Sequence, residues 1–238
     1  MSVLGTMQKL SIIMPVYNEQ KTLDSMLRKV YAVRISGLSK EIIAVNDGSI
    51  DGSARILKSW KKKGIKVIHH KKNEGKGAAV RTGILKSTGN IIIIQDADLE
   101  YDPKEYRKIL SPILKNNANV VYGSRLKAIQ RNLKDMYLTH YLGNRALSLM
   151  TSVLYGSRIT DMETGYKAMR KEVLEGMVLN SRRFDIEPEI TAKILKRGYK
   201  IVEVSIAFRG RMFDEGKKIT WRDGIAALWT LLRYRFTN

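Results

Sequence analysis

Asn90-Ile91-Ile92-Ile93-Ile94-Gln95-Asp96-Ala97-Asp98-Leu99-Glu100 is the segment on which the reading of this chain turns. Four consecutive isoleucines leave no polar face, so the run fits a short strand covered on both sides, as inside a parallel sheet. The strand, expected over Asn90–Gln95, runs straight into Asp96, Asp98 and Glu100. Like charges this close repel unless a proton or a cation neutralises them. An all-oxygen set at a sheet edge favours Mg²⁺ or Mn²⁺, held by one or two carboxylates plus substrate phosphates. The plainer alternative is that Asp98 or Asp102 caps the helix expected to begin at Pro103.

On either side the chain alternates buried runs with helical periods, the pattern of an α/β domain. Upstream, strands are expected at Leu10–Val16, Glu41–Val45 and Val67–Ile68. Helices are expected over Glu19–Val33, where Leu23, Met26, Leu27 and Val30 share a face, from an Asp51 cap to Lys63, and over Gly77–Lys86. Downstream, Val120–Tyr122, Gly165–Met169 and Ile201–Phe208 read as strands, and Tyr137–Leu154 and Glu187–Lys196 as helices. Trp221–Phe236 reads as a last, amphipathic helix. Its apolar stripe is Trp221, Ile225, Leu228, Trp229, Leu232 and Phe236, with Arg222, Arg233 and Arg235 off it. That shape suits an interfacial helix, or simple packing on protein. With no repeat, low-complexity tract or linker, one domain is expected over residues 8–220, with a nucleotide-binding half (8–125) and an acceptor-side half (126–220), followed by the helix over 221–238.

The composition narrows the classes. Of 238 residues, 44% are hydrophobic and 28% charged, which fits a globular chain with a sizeable core. The absence of cysteine excludes disulfides, thiolate metal sites and cysteine nucleophiles. Lys plus Arg is 43 against 23 Asp plus Glu, a net charge of +20 that should attract polyanions. Nucleic acid is not expected among them: no RRM signature, zinc motif or aromatics interleaved with the basic run Arg55–Lys86 is present. Met1–Lys9 lacks the apolar region of a signal peptide, and no apolar run reaches the ~20 residues of a spanning helix. A soluble or peripheral protein is expected.

Ligands of open α/β sheets bind where strands end at their carboxyl edge. The first strand ends in Pro15-Val16-Tyr17-Asn18-Glu19. Tyr17 offers a flat face for a base and Glu19 an acceptor for its N–H groups, although a capped helix start would use the same residues. The second ends in Asn46-Asp47-Gly48-Ser49, with Asp47 expected to point out over the edge. The third loop, Asn73-Glu74-Gly75-Lys76-Gly77, could hold an anion with backbone N–H groups and the Lys76 ammonium. It lacks the spacing of a Walker loop, and no Gly-x-Gly-x-x-Gly follows the first strand, so a P-loop NTPase and a Rossmann dehydrogenase are disfavoured.

Taken together, Pro15–Glu19, Asn46–Ser49 and Asp96-Ala97-Asp98 resemble the nucleotide-sugar-dependent glycosyltransferases of family 2, which have the GT-A fold: an α/β, mixed and mainly parallel sheet flanked by helices. Gly123-Ser124-Arg125, Asp161-Met162-Glu163-Thr164-Gly165-Tyr166-Lys167 and Arg209–Lys218 are similar to the dolichyl- and polyprenyl-phosphate sugar synthases, the dolichol-phosphate mannose synthase branch. The resemblance implies that Pro15, Tyr17, Glu19 and Asp47 line the base and ribose site, with Lys76 near the nucleotide. Gln95 and Ala97, flanking the first aspartate, fall in the same donor site. Asp96 and Asp98 would hold the divalent metal on the donor diphosphate, with Glu100 where the synthases often have Gln. Arg125 would approach phosphate. Asp161 would orient a basic residue or the acceptor phosphate, or merely cap a loop. Arg209, Arg211, Lys217 and Lys218 would lie on a loop closing over donor and lipid phosphate. Asn46 departs from the Asp usual in the family.

The implied reaction is inverting transfer of a hexose from GDP-mannose or a UDP-hexose to a polyprenyl or dolichyl monophosphate, with Mg²⁺ or Mn²⁺, at the cytoplasmic face of a membrane with which the protein makes peripheral contact. The competing expectations are a family 2 enzyme with a soluble sugar acceptor, a basic nucleic-acid binder, and a catalytically silent lipid-binding relative, against which the intact Asp96 and Asp98 argue.

Overall fold

The computed structural model describes residues 8–129, 138–210 and 221–237. The four isoleucines form strand β4 (Ile91–Ile94), and all four are buried. They divide between two layers: Ile91 and Ile93 join one core, Ile92 and Ile94 the other. A strand with both faces covered gains about 1.5–3 kcal/mol per fully buried aliphatic side chain, which explains the absence of any polar residue within it.

Around β4 lie β1 (Gln8–Val16), β2 (Leu38–Asn46), β3 (Lys66–His69), β5 (Val120–Ser124), β6 (Lys167–Arg170) and β7 (Ile201–Ser205). They form a seven-stranded sheet in the order β3-β2-β1-β4-β6-β5-β7. β1 pairs in parallel with β2 and β4, so Ile12 stands beside Ile42 on one side and Ile93 on the other. β6 runs antiparallel to both β4 and β5, while β7 is parallel to β5. From β1 the chain winds outward to β2 and β3, then returns to set β4 on the other flank of β1. That reversal opens a crevice at the carboxyl ends of β1 and β4.

On one face pack α1 (Leu23–Ala32), α2 (Ser53–Lys61) and α4 (Tyr106–Leu114). Leu23, Met26, Leu27 and Val30 of α1 are all fully buried, as their spacing requires. The other face carries α3 (Lys76–Lys86), α6 (Leu138–Tyr155), α7 (Ile186–Lys196) and α8 (Trp221–Phe236). A short α5 (Leu126–Ile129) follows β5. Asp102 accepts a hydrogen bond from the Lys104 N–H and caps a 3-10 turn over Pro103–Glu105 that leads into α4. Of the two candidates the sequence offered for that cap, the structure uses Asp102.

Several expectations shift; α1, for one, starts at Leu23 rather than Glu19. Asp51 is not the residue directly before α2; it accepts the Ser53 N–H with one oxygen and the Gln20 N–H with the other, tying the second loop to the first. β6 begins at Lys167, because Gly165 and Tyr166 belong to the preceding loop. β7 ends at Ser205, and residues 206–209 leave the sheet to cross its edge. Finally, α8 packs through Ala227, Thr230, Leu231 and Tyr234, while Ile225, Trp229 and Phe236 of the expected stripe stand exposed. Among the described residues no helix is long and apolar enough to cross a membrane.

Candidate functional site

The loop after β4 is held in a strained form. Leu99 sits at φ +66°, a left-handed conformation uncommon for a branched residue, which places it between Asp98 and Glu100 in a tight turn. The Glu100 N–H bonds the Asp98 Oδ1 at 3.2 Å. From the other side, the Arg209 N–H donates to the Glu100 carbonyl at 3.1 Å. Segment 206–209 thus lies across the loop, with Phe208 against Tyr101 and beneath the Arg125 guanidinium.

Asp96 and Asp98 both remain partly exposed at this edge. Lys76, at the first turn of α3, places its ammonium 2.9 Å from Asp96 Oδ1 and 3.1 Å from Oδ2. The same ammonium lies 3.1 Å from Glu187 Oε1 on α7, whose second oxygen is 2.6 Å from Lys167 Nζ. Burial disfavours the Lys76 ammonium, but Asp96 and Glu187 outweigh it and raise its pKa above the ordinary value. Burial likewise pushes the Glu187 carboxyl up, and Lys167 and Lys76 hold it below its ordinary value. Among the described residues no three His, Cys, Asp or Glu side chains converge as a metal-holding group, so Glu100 does not join Asp96 and Asp98 in a three-carboxylate set.

A second construction stands at the end of β5. Asp161 is fully buried and accepts from the Arg125 N–H (2.7 Å), Nε (2.9 Å) and Nη2 (2.7 Å), a two-pronged grip on the guanidinium. Asn144 on α6 donates to the same carboxylate at 2.7 Å. Burial pushes the Asp161 carboxyl up, but the Arg125 charge and these hydrogen bonds hold it below the ordinary carboxylate range. Of the roles open to Asp161, orienting a basic residue, orienting the acceptor phosphate and capping a loop, the contacts with Arg125 support the first. Arg125 Nη1 has no hydrogen-bond partner among the described residues.

The two constructions meet through the loop 161–165. A Cβ on Gly165 would lie 2.4 Å from Asp96 Oδ2, so only glycine lets the loop approach that closely. The Gly165 N–H donates to the Tyr101 hydroxyl at 2.9 Å. Lys167 anchors the loop from below, donating to the carbonyls of Met162 and Thr164.

Several side chains assigned from the sequence turn elsewhere. Asp47 does not point out over the edge: it accepts the N–H groups of Glu74 (3.0 Å) and Gly75 (2.8 Å) and contacts His70 Nδ1 at 2.7 Å. It braces the third loop, which lies beside it in space. The anion cradle expected at Gly75-Lys76-Gly77 is thereby used internally, since the Ala78 N–H also goes to the Arg182 carbonyl. Gly75, at φ +96°, admits that backbone at a distance no Cβ would tolerate. Gln95 is fully buried and accepts from the hydroxyls of Tyr106 (2.8 Å) and Tyr166 (2.6 Å). Ala97 packs in the core. Both side chains are turned inward and fix the loop from within.

At the first loop, Pro15 and Tyr17 are partly exposed and Glu19 is buried, its Oε2 accepting from the Thr22 hydroxyl at 2.9 Å. Asn18 and Ser49 stitch this loop to the second. Arg209 is exposed beside the Asp98 turn, while Arg211, Lys217 and Lys218 lie outside the described residues. Sequence reasoning missed Glu187 and Lys167, and assigned no role to Glu163. One oxygen of Glu163 is buried without a hydrogen-bond partner among the described residues, and burial pushes its carboxyl up to about 7, against the opposing pull of Lys167. Glu187 carried a signal: three and seven residues before Ile190 and Ile194, it falls on the buried face of α7.

Residues 11–177 match the profile of Glycosyl transferase family 2. An uncharacterised protein of Methanocaldococcus jannaschii is 32% identical over 200 residues, covering 82% of this chain and 79% of that one. The dolichol-phosphate mannosyltransferase of Pyrococcus furiosus is 33% identical over 214 residues, covering 88% of this chain, which spans 59% of that longer enzyme. The UDP-N-acetylglucosamine–dolichyl-phosphate N-acetylglucosaminyltransferase of Methanococcus voltae is 29% identical, covering 82% of this chain and 83% of that one. Among solved structures, glucosyl-3-phosphoglycerate synthase of Mycobacterium tuberculosis, bound to Mn²⁺, UDP and phosphoglyceric acid, shares the architecture with a TM-score of 0.73 at 19% identity, over 97% of this chain and 80% of its own. Sequence and architecture agree: the chain is a glycosyltransferase of family 2 with a GT-A fold.

Proposed function

We propose that this glycosyltransferase moves a hexose from a nucleotide diphosphate sugar to a polyprenyl or dolichyl monophosphate, with inversion at the anomeric carbon. The observation that carries the reading is the pairing, at one sheet edge, of two acidic side chains after β4 with a clamped guanidinium after β5. That edge must bring two anions together, a leaving diphosphate and an incoming phosphate. The named activities of the Pyrococcus and Methanococcus relatives support the acceptor class.

The acceptor phosphate needs no strong general base, because with a second pKa of ~6 it is already largely dianionic near neutral pH. One of its oxygens attacks the anomeric carbon. The bond from that carbon to the diphosphate oxygen breaks, and the nucleoside diphosphate departs with the electron pair. Arg125, held by Asp161, presents its unengaged Nη1 to phosphate, and Lys76 adds positive charge beside the donor. Arg209, exposed beside the Asp98 turn, adds positive charge near the two anions. Tyr17 and Pro15 take the base side, while Asp47 and Glu19 shape that pocket through the loops they brace. The residues fit a divalent ion: the side chains of Asp96 and Asp98 offer oxygen only, and the Lys76 ammonium already sits on Asp96 as a stand-in cation. Asp96 and Asp98 would hold Mg²⁺ or Mn²⁺, which neutralises charge on the leaving diphosphate when bound.

Peripheral contact with the cytoplasmic face of a membrane completes the proposal. Ile225, Trp229 and Phe236 on α8 are exposed at 57%, 65% and 82%, with Arg222, Arg233 and Arg235 also exposed on the helix. Leu142, Leu149 and Val153 on the neighbouring α6 are exposed as well. Exposed apolar side chains with arginines on the same helix suit an anionic lipid surface.

A thermal-shift panel of GDP-mannose and UDP-sugars, each with and without Mn²⁺, tests the donor half. At a hundredfold excess over Kd a ligand adds about 2.7 kcal/mol, or roughly 5–10 °C for a chain of this size. One sugar nucleotide should give that shift with Mn²⁺. No shift with any donor would overturn the proposal.

A further inference from the structure

The Lys76 ammonium rests on both oxygens of Asp96, at 2.9 and 3.1 Å. A divalent ion arriving at Asp96 must share that carboxylate with it or move it aside. The lysine side chain is only 16% exposed, so an ammonium pushed from Asp96 into this interior would be costly unless a second anion were at hand. Glu187 is that anion. It is 3% exposed, and its Oε1 already lies 3.1 Å from Lys76 Nζ.

Glu187 is placed with care. It comes from the first turn of α7, in the acceptor-side half, and reaches across to a lysine of the donor-side half. Its other oxygen is 2.6 Å from Lys167, which holds the Met162 and Thr164 carbonyls and so the loop bearing Asp161. One carboxylate therefore stands between two lysines. Asp96 competes for the first; the second is fixed by the backbone.

We propose that Glu187 is a positioning residue that takes over Lys76 when a divalent cation loads onto Asp96. The ammonium shifts its weight from Asp96 to Glu187 without leaving the site. The ion gains a free carboxylate, and Lys76 stays as a second positive charge beside the diphosphate. This inference rests on the reading of Asp96 as a metal-holding carboxylate, and it adds a device that makes lysine and ion partners rather than rivals.

The test is a mutant cycle read by direct Mn²⁺ titration, with free Mn²⁺ followed by electron paramagnetic resonance at a UDP concentration that saturates each variant. Glu187→Gln should weaken Mn²⁺ binding about 10–100-fold, the usual effect of losing an outer partner of a metal site. Lys76→Met should bind Mn²⁺ no more weakly than the wild type, because the rival cation is gone. In the Lys76→Met background, adding Glu187→Gln should cause no further loss. An effect of Glu187→Gln that is equal with and without Lys76 would overturn the proposal, as would weaker binding by Lys76→Met. If Glu187→Gln leaves Lys167 unpaired and fails to fold, as melting curves would reveal, Lys76→Met decides alone: equal or tighter binding supports the exchange, weaker binding overturns it. A wild-type protein that binds no Mn²⁺ would overturn the metal reading as well, whereas normal wild-type binding with a silent Glu187→Gln would overturn only the exchange.

Discussion

Replacing Asp161 with alanine tests whether Arg125 is truly held. The carboxylate is fully buried and accepts four hydrogen bonds, three from Arg125 and one from Asn144. The Arg125 side chain is only 11% exposed, so its charge has little water to fall back on. Breaking a buried pair from one side costs about 3–5 kcal/mol. For a chain of this size each kcal/mol lowers the melting temperature by roughly 2–4 °C, which gives a drop of about 6–20 °C. Differential scanning fluorimetry or circular dichroism at pH 7 measures it. The pH dependence has a definite sign. A carboxyl held below its ordinary value in the folded protein stabilises above the unfolded pKa, about 3.9, and that stabilisation is lost as pH falls through the folded value. Wild type and Asp161→Ala should therefore differ at pH 7 and converge in strong acid. Replacing both partners by apolar residues, Asp161→Leu with Arg125→Met, should recover much of the stability while transfer stays lost. Melting of Asp161→Ala within about 2 °C of the wild type at pH 7 would refute the clamp.

Glu41 offers a second pH test. Burial pushes its carboxyl up, but bonds from Ser11 and the Thr88 backbone, with Lys9, bring it down to about 2. The melting gap between wild type and Glu41→Gln should be open at pH 7 and close as pH falls from about 4.5 towards 2; a gap independent of pH would contradict the assignment. On α8, Ile225→Ser, Trp229→Ser and Phe236→Ser together should lower recovery on anionic vesicles by at least about tenfold, since each buried aliphatic or aromatic side chain is worth about 1.5–3 kcal/mol. Melting should stay unchanged because α8 packs through Ala227, Leu231 and Tyr234. Unchanged vesicle recovery would remove the membrane contact.

Local patterns carried most of the architecture. The isoleucine run fits a doubly covered strand and the α1 spacing fits one buried face, because burial of consecutive side chains follows the geometry of a single element. The antiparallel insertion of β6 between β4 and β5 is a long-range choice that no local period encodes. The same limit governs the site. The Asp96–Asp98 spacing was legible within three residues. Asp47 was placed at the right loop but turned the wrong way, since its partners, Glu74 and Gly75, lie 27 and 28 positions on. Gln95 continues a strand end and so resembled a site residue, yet the Tyr106 and Tyr166 hydroxyls that hold it inward come from two other elements. Glu187 and Lys167 are ordinary charges in the sequence. They acquire meaning only when the fold brings Glu187 of α7 between Lys167 at the start of β6 and Lys76, the lysine on Asp96.

The most direct measurement of the central claim is product analysis. Purified protein, a sugar nucleotide chosen by thermal shift, polyprenyl monophosphate and Mn²⁺ should yield a glycosylated lipid phosphate whose anomeric configuration, read by NMR, is opposite to that of the donor. Asp98→Ala, still folded, should yield none. Sugar delivered only to water or to a soluble acceptor, or undiminished transfer by Asp98→Ala in the presence of a chelator, would contradict the account.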